Sequence, residues 1–131
     1  MDKCIPPELV DYILPFEWEV RRVWQLDAKI LCQKVSAFEY LLDLPLWSSR
    51  PKEGMLFDIS PRTVMKFPEK APHQMKRIED SCIEYPIDLL RFQGRNWILD
   101  GVHRIAKLTM SDCDEVSVRI HGENVIAEIL A

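Results

Sequence analysis

The sequence lacks a C-x-x-C pair, a long apolar run and an excess of basic residues. Its four cysteines, Cys4, Cys32, Cys82 and Cys113, stand singly, so the spacing typical of zinc sites and dithiol redox centres is missing. No apolar stretch reaches the roughly 20 residues that a membrane-spanning helix needs. The net charge of −4 argues against general binding to nucleic acid, which usually requires a clustered basic surface.

The first residues, MDKCIPPELVDY, also lack the apolar segment of a secretory signal peptide. We therefore expect a cytoplasmic protein whose cysteines are reduced and pack as small apolar groups. The length of 131 residues and an apolar content of 47% are sufficient for one globular domain with its own core.

Nine prolines divide the chain into short elements. Residues 1–50 form an aromatic-rich head, in which FEWEVRRVWQL has the spacing of an amphipathic helix. AKILCQKVSA could form a short strand, and SAFEYLLDLPLW is typical of a Ser-capped helix that stops before Pro45. The head's aromatic residues favour core positions, although the head could also form one side of a second-substrate pocket. We expect residues 1–50 to be an extension packed on a core of residues 55–131.

Within that core, GMLFDISP predicts a strand, SPRTVM a Ser-capped helical turn and PHQMKRIEDSC a helix. YPIDLLRF and NWILD flank QGR as the two strands of a hairpin. VHRIAKLTM predicts a helix, EVSVRI alternates as a strand, and NVIAEIL is a last strand or short helix. This order predicts an α+β domain, a small mixed sheet with packed helices behind a helical N-terminal extension.

The stretch DGVHR, residues 100–104, lies where a strand is followed by a helix. The first N–H groups of a helix have no intrahelical partner and, with the helix dipole, favour an anion such as phosphate. Gly101 would allow a ligand to approach the backbone, and Asp100 could cap the helix. Arg104 could bind phosphate oxygens in pairs, and His103 could donate to phosphate or move a proton. The alternative is that His103 and Arg104 bind no ligand and simply lie exposed at the helix start, with an ion pair to Asp100.

The segment WILDGVHRIAKL, preceded by YPIDLLRFQGR and followed by EVSVRI, resembles the ParB/sulfiredoxin superfamily over about residues 55–120. Its members share a small sheet, a helix before a P-I-D strand, and a G-x-H-R or D-G-x-H-R turn that binds nucleotide phosphates. The D-G-x-H-R form is most similar to free-serine kinases and ParB-like domains that act on small molecules. The resemblance implies that Gly101, His103 and Arg104 bind ATP or ADP, with Mg²⁺.

The resemblance also indicates which activities of the superfamily this chain lacks the residues for. The catalytic cysteine of sulfiredoxin falls on Val102, which excludes sulfiredoxin chemistry, and the arginine-rich box of DNA-sliding ParB proteins is missing. Gln74, Arg77 and Ser81 align with three nucleotide-binding residues of sulfiredoxin, and only Ser81 is a like-for-like match. Glu69 aligns loosely with the catalytic glutamate of the serine kinases. It could accept a proton or place a metal ion, or it could be a solvated residue of a proline-rich turn.

The leading hypothesis is an ATP- or ADP-dependent phosphotransferase for an unidentified small molecule, or a nucleotide hydrolase. The candidate catalytic residues are His103, Arg104, Glu69 and Asp100. The candidate nucleotide-binding residues are Asp100, Gly101, His103, Arg104, Arg77, Ser81 and Gln74. The alternative is a non-catalytic ligand- or protein-binding module of the same fold, and a ParB-like nuclease is the least expected. The sequence predicts neither a metal-ligand cluster of its own nor an oligomeric state.

Overall fold

The computed structural model describes residues 5–52 and 56–131, which form short helices around one sheet. The α-helices are α1 (Val20–Trp24), α2 (Pro61–Lys66), α3 (Pro72–Asp80), α4 (Val102–Met110) and α5 (Ile126–Ile129). The strands are β1 (Ile30–Lys34), β2 (Ile87–Phe92), β3 (Arg95–Asp100) and β4 (Glu115–His121). Segments of 3₁₀ helix lie at Pro7–Tyr12, Val35–Asp43, Pro68–Lys70 and Glu123–Val125.

The four strands form a mixed sheet in the order β1-β4-β2-β3. β2 and β3 form an antiparallel hairpin, β4 runs parallel to β2, and β1 pairs with β4 in the antiparallel sense. The predicted α+β class is confirmed, and the hairpin lies where the sequence places it. Its two-residue turn uses positive φ angles at Gln93 (+51°) and Gly94 (+80°), the conformation that matches the twist of paired strands.

Apolar side chains cover both faces of the sheet. On one face, Ile87 and Leu89 join a core that includes Val64, Ile78 and Ile105 from helices α2, α3 and α4. On the other face, Leu90 belongs to a second core formed by Leu14, Val23, Trp97, Leu99 and Ile129. This alternation along β2 follows the two-residue period of a strand. The head therefore contributes to the cores on both faces, through Leu14 and Val23 on one and Phe38 and Trp47 on the other, and it supplies edge strand β1.

The head is less helical than predicted. FEWEVRRVWQL forms only the five-residue α1, because Trp18 lies in an isolated bridge with Leu130. SAFEYLLDLPLW forms a 3₁₀ helix whose cap position is Lys34, with no side-chain cap, so the predicted Ser-capped α-helix is wrong. The backbone N–H of Val35 donates to the carbonyl of Asp114, which places this residue at the end of the sheet rather than ahead of a free helix.

Two other predictions are corrected. Of the strand predicted in GMLFDISP, residues 54 and 55 lie outside the described part of the chain, and the rest contains only an isolated bridge from Ile59 to Trp47. Cys32 and Cys82 are exposed rather than packed, and Cys113 is half-buried, while Cys4 also lies outside the described residues. Cys32 is exposed because it lies on edge strand β1, where its thiol contacts Glu115.

The remaining elements agree with the sequence. Ser60 caps α2 by accepting from the N–H of Thr63, and Pro61 occupies the first helical position. NVIAEIL ends in the short helix α5. Within residues 5–52 and 56–131, no helix is long and apolar enough to cross a membrane.

Gly101, between β3 and α4, has a backbone conformation that other residues rarely adopt, and there is no space at this position for a side chain. Its φ is +125°, and a Cβ there would lie 2.4 Å from Cγ2 of Ile87 and 3.1 Å from Nη2 of Arg104. Ile87 is fully buried on β2 and cannot move aside. Only glycine allows the chain to turn into α4 this close to the sheet.

We expect Gly101→Ala to lower the free energy of unfolding by about 2–5 kcal/mol, through backbone strain and overpacking against Ile87. Gly94→Ala is the matched control, because φ is also positive there but nothing lies within 4 Å of the added Cβ. The control should lose only about 1–2 kcal/mol. Urea unfolding of both variants measures the difference, and equal losses would contradict the proposed clash.

Candidate functional site

A cleft of about 170 Å³ opens at the N-terminus of α4. It is lined by Trp24, Arg77, Ser81, Asp100, Gly101, His103 and Arg104. Six of these seven residues are site candidates from the sequence. The seventh, Trp24, belongs to the head and was not predicted as a site residue. Tertiary folding thus brings the end of α3, the turn after β3 and helix α1 to one place.

The first turn of α4 contributes backbone donors to this cleft. Gly101 occupies the N-cap position, so the helix begins without a side-chain cap and its first N–H groups lack intrahelical partners. The prediction that Asp100 caps α4 is wrong, because this residue lies one position too early. Its carboxylate instead accepts hydrogen bonds from Trp24 Nε1 at 2.8 Å and from Arg104 Nη2 at 3.2 Å.

Two arginines make the cleft positive. The side chain of Arg104 is 14% exposed and pairs with Asp100, while its Nε is buried without a partner among the described residues. Arg77 is exposed and makes no hydrogen bond or ion pair within the described part of the chain. Asp100 is the one carboxylate among the described residues that lines the cleft. Two guanidinium groups against one carboxylate favour an anionic ligand.

The end of α3 is held against α4 by Lys107. Its ammonium donates to the backbone carbonyls of Glu79 at 2.7 Å and Ser81 at 2.8 Å. The hydroxyl of Ser81 donates to the carbonyl of Ile78 at 2.6 Å, which leaves its lone pairs available. The ammonium of Lys107 is therefore engaged by the end of α3, and it fixes the position from which Arg77 and Ser81 reach the cleft.

His103 is held in one orientation. Its ring stacks on Trp47 with centroids 4.1 Å apart and planes 9° from parallel. Its Nε2 lies 2.9 Å from Oε1 of Gln74, whose own amide nitrogen donates to the carbonyl of Ser48 at 3.1 Å. Because Gln74 presents an acceptor, Nε2 of His103 carries the hydrogen, and Nδ1 is the unprotonated nitrogen.

The same surroundings keep His103 neutral. Burial, followed by the positive charges of Arg77 and Arg104 and by His73, lowers the pKa of His103 from 6.5 to about 3. A neutral imidazole supplies no positive charge to a phosphate near pH 7. The positive charge of the cleft therefore comes from the arginines, and His103 offers a hydrogen-bond acceptor instead.

Two candidates from the sequence lie outside the cleft. Gln74 is buried, and its amide is already bonded to Ser48 and His103, so it orients His103 rather than lining the cleft. Glu69 is exposed on the 3₁₀ segment after α2 and borders a separate shallow groove with Pro68, Pro72, Met75, Lys76 and Glu79. The loose alignment of this loop is the reason that sequence reasoning placed Glu69 beside the phosphate turn.

Sequence reasoning missed a buried polar network behind the cleft. Oδ1 of Asp88 on β2 accepts from Nε of Arg119 at 2.7 Å and from Nε2 of His121 at 2.9 Å. Arg119 also donates to the carbonyls of Val23 at 3.1 Å and Leu26 at 2.6 Å, at the end of α1. The available signal was the two-residue spacing of Arg119 and His121, which places both on one face of the predicted strand.

Within residues 5–52 and 56–131, no three His, Cys, Asp or Glu side chains lie close enough together to hold a metal ion. Magnesium often binds through only one or two carboxylates plus the phosphates of a substrate. Asp100 fits that pattern, because it is the carboxylate of a cleft that otherwise favours phosphate.

No protein-family model, no curated protein and no solved structure matches this chain. The resemblance to the ParB/sulfiredoxin superfamily stays a prediction from the sequence.

We expect the ring of His103 to stay neutral above about pH 4 in the folded protein. In the unfolded chain its pKa is near 6.5, so the unfolded state binds more protons between about pH 3 and 6.5. The free energy of unfolding therefore falls as the pH drops through this window, by at most about 1.4 kcal/mol per pH unit. Above pH 6.5 His103 contributes no pH dependence.

NMR titration of the His103 ring protons tests this expectation directly, and a midpoint near 6.5 in the folded protein would contradict it. In parallel, urea unfolding from pH 3.5 to 7 should show a shallower pH dependence in His103→Gln. Glutamine can keep the hydrogen bond to Gln74 but does not titrate.

Proposed function

We propose that this chain binds the phosphate groups of a nucleotide, ATP or ADP, in the cleft at the N-terminus of α4. The observation that carries the proposal is the convergence of Arg77, Arg104 and the uncapped first turn of α4 on one small cleft. Backbone N–H groups at a helix start and guanidinium forks are the donors that phosphate oxygens prefer.

The state of the two arginines supports an anion rather than a neutral ligand. Arg77 has no protein partner among the described residues, and Arg104 keeps an unpartnered buried Nε beside its ion pair with Asp100. A buried charged donor without a partner is costly, and a phosphate oxygen would satisfy it. Ser81 lines the same opening, but its hydroxyl already donates to the carbonyl of Ile78, so the arginines carry this argument.

Mg²⁺ would enter this cleft with the nucleotide. The residue that could approach it is Asp100, whose carboxylate is 26% exposed. A bound magnesium ion would offset the negative charge of the phosphates. The carboxylate would then face a cation rather than a bare anion, which removes the repulsion between Asp100 and phosphate.

Phosphotransfer to a small molecule, or hydrolysis of the nucleotide, is the catalytic form of this proposal. Asp100 is its candidate for accepting a hydroxyl proton, because Glu69 borders another groove. The second candidate is a non-catalytic nucleotide-binding module. It is favoured by the two hydrogen bonds that Trp24 and Arg104 donate to Oδ2 of Asp100, since that oxygen is already occupied by protein donors.

We expect ATP or ADP with Mg²⁺ to stabilise the protein against heat. A ligand at 100 times its dissociation constant adds about 2.7 kcal/mol, which corresponds to a rise of roughly 5–10 °C in Tm for a domain of this size. Arg77→Gln should weaken nucleotide binding by about 10- to 100-fold, because it removes a hydrogen bond between charged groups.

Lys76→Gln is the matched control, since it removes the same charge from the same helix one residue away and faces the other groove. It should bind nucleotide like the unaltered protein. The absence of a thermal shift with ATP, ADP, CTP and GTP, or equal effects of the two variants, would contradict phosphate binding in this cleft.

The two forms of the proposal differ in turnover. If the chain is a phosphotransferase or hydrolase, ATP incubated with Mg²⁺ and a panel of small hydroxyl compounds should yield ADP. Asp100→Asn should then lower the rate by more than about 100-fold while nucleotide still binds, because the amide retains the cleft's shape without its negative charge. Saturable binding with no ADP formed over a long incubation would identify the binding module instead.

A further inference from the structure

Trp24 is the lining residue of the cleft that comes from the head, and its indole is held at the rim. Its Nε1 donates to Oδ2 of Asp100 at 2.8 Å, yet the residue is 58% exposed. The polar end of the ring is therefore bonded, and much of its apolar surface faces solvent beside the cleft. A tryptophan held in this way has already lost the freedom that ligand binding would otherwise have to remove.

The backbone beneath Trp24 is fixed by the buried network of Asp88 and Arg119. Helix α1 has only five residues, too few to be stable alone. Arg119 holds its end through the carbonyls of Val23 and Leu26, and buried Asp88 holds Arg119. Trp24 is thus positioned by two contacts that reach it from the sheet, one through Arg119 and one through Asp100.

The size of the cleft indicates what Trp24 would meet. At about 170 Å³ the cleft is smaller than the roughly 300 Å³ at which sites for whole small molecules begin. It suits the phosphate end of a ligand, and the remainder of the ligand must lie over the rim. Trp24 is the large exposed aromatic residue among those lining the cleft. Nucleobases stack on such rings with little dependence on the base.

We propose that Trp24 is the stacking surface for the base of the bound nucleotide, so that the site selects nucleotides over phosphates without an aromatic group. This inference rests on the proposed phosphate binding in the same cleft. The arginines and the start of α4 hold the phosphates, and the head supplies recognition of the base.

The test compares the binding of ATP and of inorganic tripolyphosphate by calorimetry in the full chain. Trp24→Leu should weaken the binding of ATP by about 5- to 100-fold and leave the binding of tripolyphosphate unchanged. Trp24→Phe keeps an aromatic ring but loses the N–H group that holds the ring to Asp100, so it should weaken the binding of ATP by clearly less than Trp24→Leu does. Because Trp24 is mostly exposed, both variants should fold, which circular dichroism verifies.

Phe67→Leu is the matched control, because Phe67 is 49% exposed and does not line the cleft. It should bind both ligands normally. If Trp24→Leu weakens both ligands equally, or neither, or if Trp24→Phe behaves like Trp24→Leu, stacking is overturned while Arg77-dependent phosphate binding stands. If the unaltered protein binds neither ATP nor tripolyphosphate, the proposed function and the stacking surface are overturned together.

Discussion

The close approach of Gly101 to Ile87 is the contact on which the rest of the site depends. Because no Cβ intervenes, the chain leaves β3 and enters α4 directly against the first residue of β2. That turn determines where the first amides of α4 point and where the side chains of His103 and Arg104 lie at the helix start. His103 then meets Gln74 and Trp47, and Arg104 meets Asp100. A bulkier residue at this turn would displace all of these contacts together.

The electrostatics of the cleft follow from this packing. His103 is half-buried beside two guanidinium groups, and it stays neutral because a third positive charge there would be desolvated and repelled. The positive charge of Arg104 is partly balanced by the carboxylate of Asp100, whereas the guanidinium of Arg77 is exposed to solvent. The cleft is therefore positive through exposed or incompletely bonded arginines, and a ligand anion can reach that charge without breaking the His103–Gln74 contact.

The head belongs to the same packed unit as this cleft. It supplies β1 to the sheet, Trp47 to the ring of His103, and Trp24 to the rim. Its helices and 3₁₀ segments are too short to be stable by themselves, so their positions depend on contacts from β4 and from the second core. The buried Asp88–Arg119 pair provides one such contact, and breaking a buried pair by removing one partner typically costs about 3–5 kcal/mol.

The sequence by itself determined the features that depend on neighbouring residues. The β2–β3 hairpin, the Ser60 cap with Pro61, the bounds of α4 and the position of DGVHR between strand and helix were all predicted, because turn chemistry, capping and apolar periodicity act over a few residues. Tertiary structure alone decided which side chains meet. His103 and Gln74 are 29 residues apart, and Trp24 and Asp100 are 76 apart. Such partners depend on how helices and strands pack, so the local pattern could not show that Glu69 lies in another groove or that Trp24 borders the cleft.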